Sequence, residues 1–221
     1  MSPLPEEIIK KQVIEQLTWD DSVNANDVHV DITDGTAILQ GTVPNYTAKL
    51  AAERDAYYIE GITQVDNQLI IKFPPTLAIP SDKEIEGSIK NSLLWDSNLL
   101  ASEIEVRVSK GVVTLTGTAY SYWEKHHAAD IANKTRGVLE VNNKLHVKVA
   151  NEYIDHEIEE DIRSALKRNV LIDESKIDIS VHQGVAHLSG TAPNRIISQE
   201  ARNVALYTQG VLDVINSIRI E

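Results

Sequence analysis

Seven histidines and no cysteine set narrow limits on the chemistry this chain can host. Without thiolates there is no disulfide framework, no cysteine nucleophile and no thiolate zinc site. His126 and His127 are neighbours on a helical pattern, so they point about 100° apart and cannot chelate one ion. His182 and His187 flank a hairpin turn and are expected diagonally on the outer face of a sheet. Two imidazoles without a nearby carboxylate make a weak metal site, and exposed polar residues are the better account. Asp31 and Asp34-Gly35 hint at calcium, yet the loop that ends in a bidentate Glu is missing. Neither a phosphate-cradling Gly-rich loop with Lys and Ser/Thr nor a Gly-x-Ser-x-Gly elbow occurs. No enzyme activity, no metal and no cofactor are expected.

Binding residues are easier to find. Trp19 and Trp95 each close a helical pattern, the second beside Leu94 and ahead of Leu99 and Leu100. Indole prefers a boundary that is apolar on one side and wet on the other, so each ring is either an interfacial anchor or a cover over a module's core. Strand parity puts Arg107, Lys144, His146 and Lys148 on the open face of one sheet, a modest anchor for an anionic surface. Asn67, Asn143 and Asn216 recur on the last strand and are read as amides that satisfy local backbone groups. Acidic helix starts, Glu6-Glu7 and Glu157-Glu159-Glu160-Asp161, are read as solvated groups at the positive helix end.

Positioning these residues requires elements, and the elements come in threes. The segment DVHVDITDGTAILQGTV (27–43) recurs as EIEVRVSKGVVTLTGTA (103–119) and KIDISVHQGVAHLSGTA (176–192). One register superposes Gly35, Gly111 and Gly184, then Gly41, Gly117 and Gly190, then Gly61, Gly137 and Gly210. All nine are read as structural, the second set as ending a strand where a side chain would obstruct the chain's exit.

Ile9, Val13 and Leu17 begin each unit's pattern, matched by Ile85, Ile89 and Leu93 and by Ile158, Ile162 and Leu166. Fourfold spacing puts each trio on one helix face. Ser81 with Glu84 reads as a capping box, and Pro3 and Pro5 precede the first helix. Two strands with period-2 alternation follow, then a helix with Ala52 and Ala56, Ala128 and Ala132, or Ala201 and Ala205 on its packing face, then a last strand. The fold class is α+β: three tandem α-β-β-α-β modules, each a three-stranded mixed sheet with two helices on one face. Module boundaries are expected at 1–76, 77–150 and 151–221, with linkers at PPTLAIP (74–80) and around Ala150-Asn151.

The hairpin GVVTLTGTA (111–119), the helix EKHHAADIA (124–132) and RGVLEVNNKLHV (136–147) resemble the BON domain, a bacterial osmotically inducible and nodulation module. LLWD (93–96) and LTWD (17–20) fit the resemblance, and Arg168-Asn169 departs from it in the third copy. The resemblance implies a non-enzymatic, stress-associated binding protein, with phospholipid surfaces, envelope partners or channels as its setting. Scaffolding between BON units and small-cation sensing through backbone carbonyls stay open as alternatives.

The 221 residues carry a net charge of −12, which excludes a general nucleic-acid coat. That charge is uneven: residues 1–76 carry −7, residues 77–150 are neutral, and residues 151–221 carry −5. The middle module is therefore the expected contact with an anionic phospholipid surface or another BON-containing protein, through Leu94, Trp95, Arg107, Lys144 and Lys148, with Trp19 of the first module as a further contact residue. A homo-oligomer is a further option. The first residues lack the basic and apolar regions of a secretory signal, so a cytoplasmic protein, peripheral at the membrane, is expected. A periplasmic home would require removal of a leader.

Overall fold

The computed structural model describes residues 5–148 and 154–220, so Pro3 and the linker at Ala150-Asn151 lie outside the described residues. In the first module, helix α1 (Glu6–Trp19) leads to strands β1 (Val28–Thr33) and β2 (Thr36–Val43), helix α2 (Tyr46–Tyr57), then β3 (Gln64–Asn67) and β4 (Ile70–Ile71). The second repeats this as α3 (Asp82–Trp95), β5 (Ile104–Ser109), β6 (Val112–Ala119), α4 (Tyr122–Asn133), β7 (Glu140–Asn143) and β8 (His146–Val147). The third has α5 (Asp155–Arg168), β9 (Ile177–His182), β10 (Val185–Ala192), α6 (Arg195–Leu206), β11 (Asp213–Asn216) and β12 (Arg219–Ile220).

Each sheet is mixed. The central strand pairs antiparallel with the first strand and parallel with the last two, as β2 does with β1, β3 and β4 and β10 with β9, β11 and β12. The expected third strand is thus in two pieces, giving four strands per sheet. The recurring asparagine causes the break. Asn216 Nδ2 donates to the Ser198 carbonyl in α6 at 3.1 Å, and its Oδ1 accepts from the Ile218 amide at 3.1 Å. Asn67 and Asn143 do the same with the Lys49 and Lys125 carbonyls, at 2.9 and 2.6 Å. A side chain that bonds the backbone two residues on competes with the ladder and wins locally.

Both helices of a module cover the same sheet face. The trios Ile9/Val13/Leu17, Ile85/Ile89/Leu93 and Ile158/Ile162/Leu166 are buried, as are the six alanines of the second helices. Burying one such Ile or Leu contributes about 1.5–3 kcal/mol, while alanine lets the second helix approach the sheet closely. Second helices start on side-chain caps: Asn45 accepts from the Ala48 amide at 2.8 Å and Asn194 from the Ile197 amide at 2.9 Å. Glu84 returns to the Ser81 amide at 2.8 Å, the reciprocal half of the expected capping box.

The hairpin turns carry positive φ at both central residues: 48° and 74° at Asp34-Gly35, 51° and 75° at Lys110-Gly111, 52° and 74° at Gln183-Gly184. That is the type I′ turn whose twist matches the strands. One helix-start acid in each module holds this turn, while Glu7, Glu157, Glu160 and Asp161 stand in solvent as expected. Asp82 accepts from the Lys110 and Gly111 amides at 2.7 and 2.9 Å, and Asp155 from Gln183 and Gly184 at 2.8 and 2.9 Å. Glu6, read from the sequence as solvated, accepts from the Asp34 amide at 3.1 Å. Donation from Gly184 and Gln183 holds the Asp155 carboxyl below the usual range.

Gly41, Gly117 and Gly190 lie inside the central strands, not at their ends, so the obstruction expected at the chain's exit is elsewhere. A Cβ on Gly117 would sit 2.0 Å from the Glu103 carbonyl oxygen. Gly87, inside α3, is the opposite case, since a Cβ there meets nothing within 4 Å. Replacing Gly87 with alanine should stabilise the chain by about 0.5–1 kcal/mol, because alanine loses less backbone entropy in a helix. A denaturant midpoint that fails to rise in Gly87→Ala would contradict this.

By backbone proximity the chain divides into two compact units, Met1–Ile89 with Val108–Val113 and Ala132–Val141, and Lys90–Arg107 with Thr114–Ile131 and Asn142–Glu221. Within the first unit the Tyr46 hydroxyl bonds to the Val141 backbone. Within the second, Tyr122 packs on the core of the third module, edge-on to Tyr207 at 6.0 Å.

Candidate functional site

Where the first helix of each module ends, a polar side chain reaches the second helix, and the partner differs in every copy. Asp20 accepts from Arg54 Nη2 at 2.9 Å. Asp96 pairs with His127 Nε2 at 2.7 Å. Asn169 donates to Glu200 at 3.0 Å. His127 is thus half-buried and engaged, stacked on Trp123 at 4.6 Å, not a free exposed ring. The Asn98 amide and His127 together hold the Asp96 carboxyl below its ordinary range.

This corner also presents apolar side chains to solvent. Trp19 is 82% exposed, Leu94 70% and Trp95 86%. In the third module, Arg168 replaces the tryptophan, but Val170 (97%) and Leu171 (61%) stand exposed two and three residues later. Sequence reasoning missed these two, because aligning the tryptophan hid an apolar tip that had moved along the loop. The available signal was two aliphatic residues between a helix end and a short polar turn.

The first module adds a hollow of about 960 Å³ at the same corner, lined by Gln16, Trp19, Asp20, Asp21, Arg54, Asp55 and Tyr58. Asp55 is buried to 2% exposure. Its Oδ1 accepts from Arg54 Nη2 at 3.2 Å, while its Oδ2 has no hydrogen-bond partner among the described residues. Burial, and the Asp20 carboxylate beside it, push the Asp55 carboxyl up to about 6. Bonds from Ser22 and the charge of Arg54 move Asp20 the other way.

The basic residues of the middle module stand apart from its tryptophan. Arg107 is on the exposed side of β5, paired with Glu105 on the same strand at 2.9 Å, so its charge is largely offset locally. Lys144, His146 and Lys148 are exposed along the last strand. These residues belong to the sheet, whereas Trp95 and Leu94 close a helix on its covered face, so the structure does not gather them into one patch. His182 and His187 are diagonal across the β9–β10 ladder with rings 6.2 Å apart. No group of three or more His, Asp or Glu able to hold a metal occurs among the described residues.

A family model for the BON domain matches residues 5–72, 81–149 and 154–221. Osmotically-inducible protein Y of Escherichia coli (strain K12) is 28% identical over 144 residues, which are 62% of this chain and 72% of that protein. Outer membrane lipoprotein DolP of Haemophilus influenzae is 32% identical over 108 residues, covering 48% of this chain and 55% of that protein, so the chain spans about half of this relative. Among solved structures, the C-terminal domain of CdsD, a structural protein of the Chlamydia trachomatis type III secretion system, aligns over 99% of this chain and 100% of that one at 14% identity, with a TM-score of 0.25. Three matches, each falling on one of the repeated modules and together spanning nearly the whole chain, place it in the BON domain family.

Proposed function

We propose that this chain is a non-enzymatic binding protein of the bacterial envelope stress response, working through three modules (1–76, 77–150 and 151–221) at a phospholipid surface. The observation that carries the reading is the exposed apolar tip at one corner of every module: Trp19, then Leu94 with Trp95, then Val170 with Leu171. Apolar side chains exposed at the same corner of every module are what a surface patch that meets another surface would present. Relatives named as an osmotically inducible protein and an outer membrane lipoprotein favour an envelope setting over the cytoplasmic one. No helix among the described residues is long and apolar enough to cross a membrane, so contact would be peripheral.

Charge helps only modestly. With Arg107 offset by Glu105, Lys144 and Lys148 contribute at most about 1 kcal/mol each near an anionic bilayer. Binding is therefore weak, reversible and sensitive to salt. The test is co-sedimentation with vesicles containing anionic lipid. Wild-type protein should pellet at low salt, and Leu94→Ala with Trp95→Ala should lower the affinity about tenfold. Reversing Lys144 and Lys148 to Glu should weaken pelleting at least as much. If wild-type protein stays in the supernatant at low salt, the membrane reading falls and docking to another BON unit replaces it.

A further inference from the structure

We propose that the corner hollow of the first module is a binding site for an organic ammonium cation. This does not rest on the membrane reading. The hollow offers the two surfaces such a cation uses, aromatic faces and carboxylates. Trp19 and Tyr58 both line it, with 82% and 50% of their surfaces open. Asp20, Asp21 and Asp55 supply three carboxylates against one guanidinium, Arg54. An adjoining hollow of about 580 Å³ shares Trp19 and Tyr58 and adds Glu15 and Glu60. The module as a whole carries −7, which raises the local concentration of any cation.

An acid-rich surface alone would not make a site. Asp55 supplies the second observation. Its side chain is 3% exposed and lines the hollow, and its buried Oδ2 has no hydrogen-bond partner among the described residues. The fold itself does not require a carboxylate there. The equivalent residues of the other modules are Ile131 and Val204, and Val204 packs on its module's core. A buried, half-satisfied carboxylate costs stability that an aliphatic side chain would not, so its presence in one module only calls for a partner.

The third module shows what a hollow without this chemistry looks like. Its counterpart, about 590 Å³, keeps Tyr207 in place of Tyr58. It has Arg168 where Trp19 stands, and Val204 where Asp55 stands. A guanidinium in place of the indole repels a cation, and no buried carboxylate remains. In the middle module Lys134 takes the place of Tyr58. The site is therefore confined to the first module. A methylated or alkyl ammonium suits it better than a bare alkali ion, which keeps its hydration shell and gains little from an indole face.

The experiment is a titration of the ¹⁵N-labelled full chain with choline chloride, read at the indole N–H resonances. Trp95 and Trp123, both in the middle module, report on that module in the same spectrum. Choline should shift the Trp19 indole saturably and leave the other two in place. Trp19→Ala, read through the amides of α2, and Tyr58→Lys should each weaken binding about tenfold or more. Asp55→Val, which copies the third module, should do so without unfolding the chain. Phosphatidylcholine vesicles separate the two sources of this chemistry. Choline shifts without vesicle retention assign a free solute, and Trp19-dependent retention assigns a lipid headgroup; either result upholds the site. An unmoved Trp19 indole, or an equal shift with potassium chloride at the same ionic strength, overturns it. Neither outcome depends on anionic vesicles, so failure here is distinct from failure of the membrane reading.

Discussion

Replacing Gly117 with valine should unfold the middle module, at a cost of about 4 kcal/mol or more. Two independent faults add at this position. Its φ is +114°, a backbone conformation that side-chain-bearing residues rarely adopt. A Cβ would also lie 2.0 Å from the Glu103 carbonyl oxygen and 3.1 Å from the carbonyl carbon behind it. Those atoms are backbone immediately ahead of β5, so moving them disturbs the entry into the β5–β6 ladder. Alanine is already intolerable there for the same reason, and Gly117→Ala should approach the valine variant in effect. Because a chain of three modules need not melt in one step, hydrogen exchange along β6 is the suitable measurement. Exchange should accelerate there while β2 and β10 stay protected. Unchanged protection in β6 would show that the strand accommodates a side chain.

Repetition made most of the fold legible, because it displayed each physical requirement three times. Apolar residues at fourfold spacing named the buried faces of α1, α3 and α5, and the glycines of the hairpins named the turns. What could not be read were the contacts between distant parts of the chain. Asp82 and Lys110 are 28 residues apart, and nothing in either segment says that a helix-start carboxylate will grip a hairpin turn. The division of the last strand has the same origin. The recurrence of Asn67, Asn143 and Asn216 shows that they satisfy backbone groups, but the helix carbonyl that turns each side chain belongs to another element. Gly117 was placed at a strand end because a glycine after an alternating run resembles a terminus. The ladder continues for two residues beyond it, and the obstacle is the Glu103 carbonyl just ahead of the neighbouring strand.

The site was legible to a lesser degree. Trp19, Leu94 and Trp95 stand exposed at the ends of their helices. Their separation from Arg107, Lys144 and Lys148 follows from packing both helices on one face, which strand parity alone did not relate to the helix ends. Asp55 was invisible for a different reason. In a sequence it is one acid among many on an acidic module, and only burial distinguishes it.

That burial yields a pH dependence of definite sign. The Asp55 carboxyl is raised from the ordinary 3.8 to about 6, first by burial and then by Asp20. A carboxyl whose folded pKa is raised binds its proton more tightly in the folded state, so folding is favoured where that proton is retained. Its contribution is most favourable below about pH 4. It declines as pH rises through the window from 4 to 6, and above that the ionised group costs about 3 kcal/mol. Asp20, Asp96 and Asp155, whose carboxyls are lowered, act oppositely, and their stabilisation is lost as pH falls below the usual carboxylate range. The first module should therefore be most stable near pH 4–5 and weaker at pH 7. Asp55→Val should remove the decline between pH 4 and 6 and raise stability at pH 7 by up to about 3 kcal/mol. Asp55→Asn, which keeps the shape and removes only the charge, should flatten the same window. Hydrogen exchange at the buried amides of Ala52 and Ala56 reads this module without interference from the other two. Protection that rises from pH 4 to 7 in the wild-type chain, after correction for intrinsic exchange, would mean that Asp55 is ionised at little cost and that Arg54 satisfies it fully.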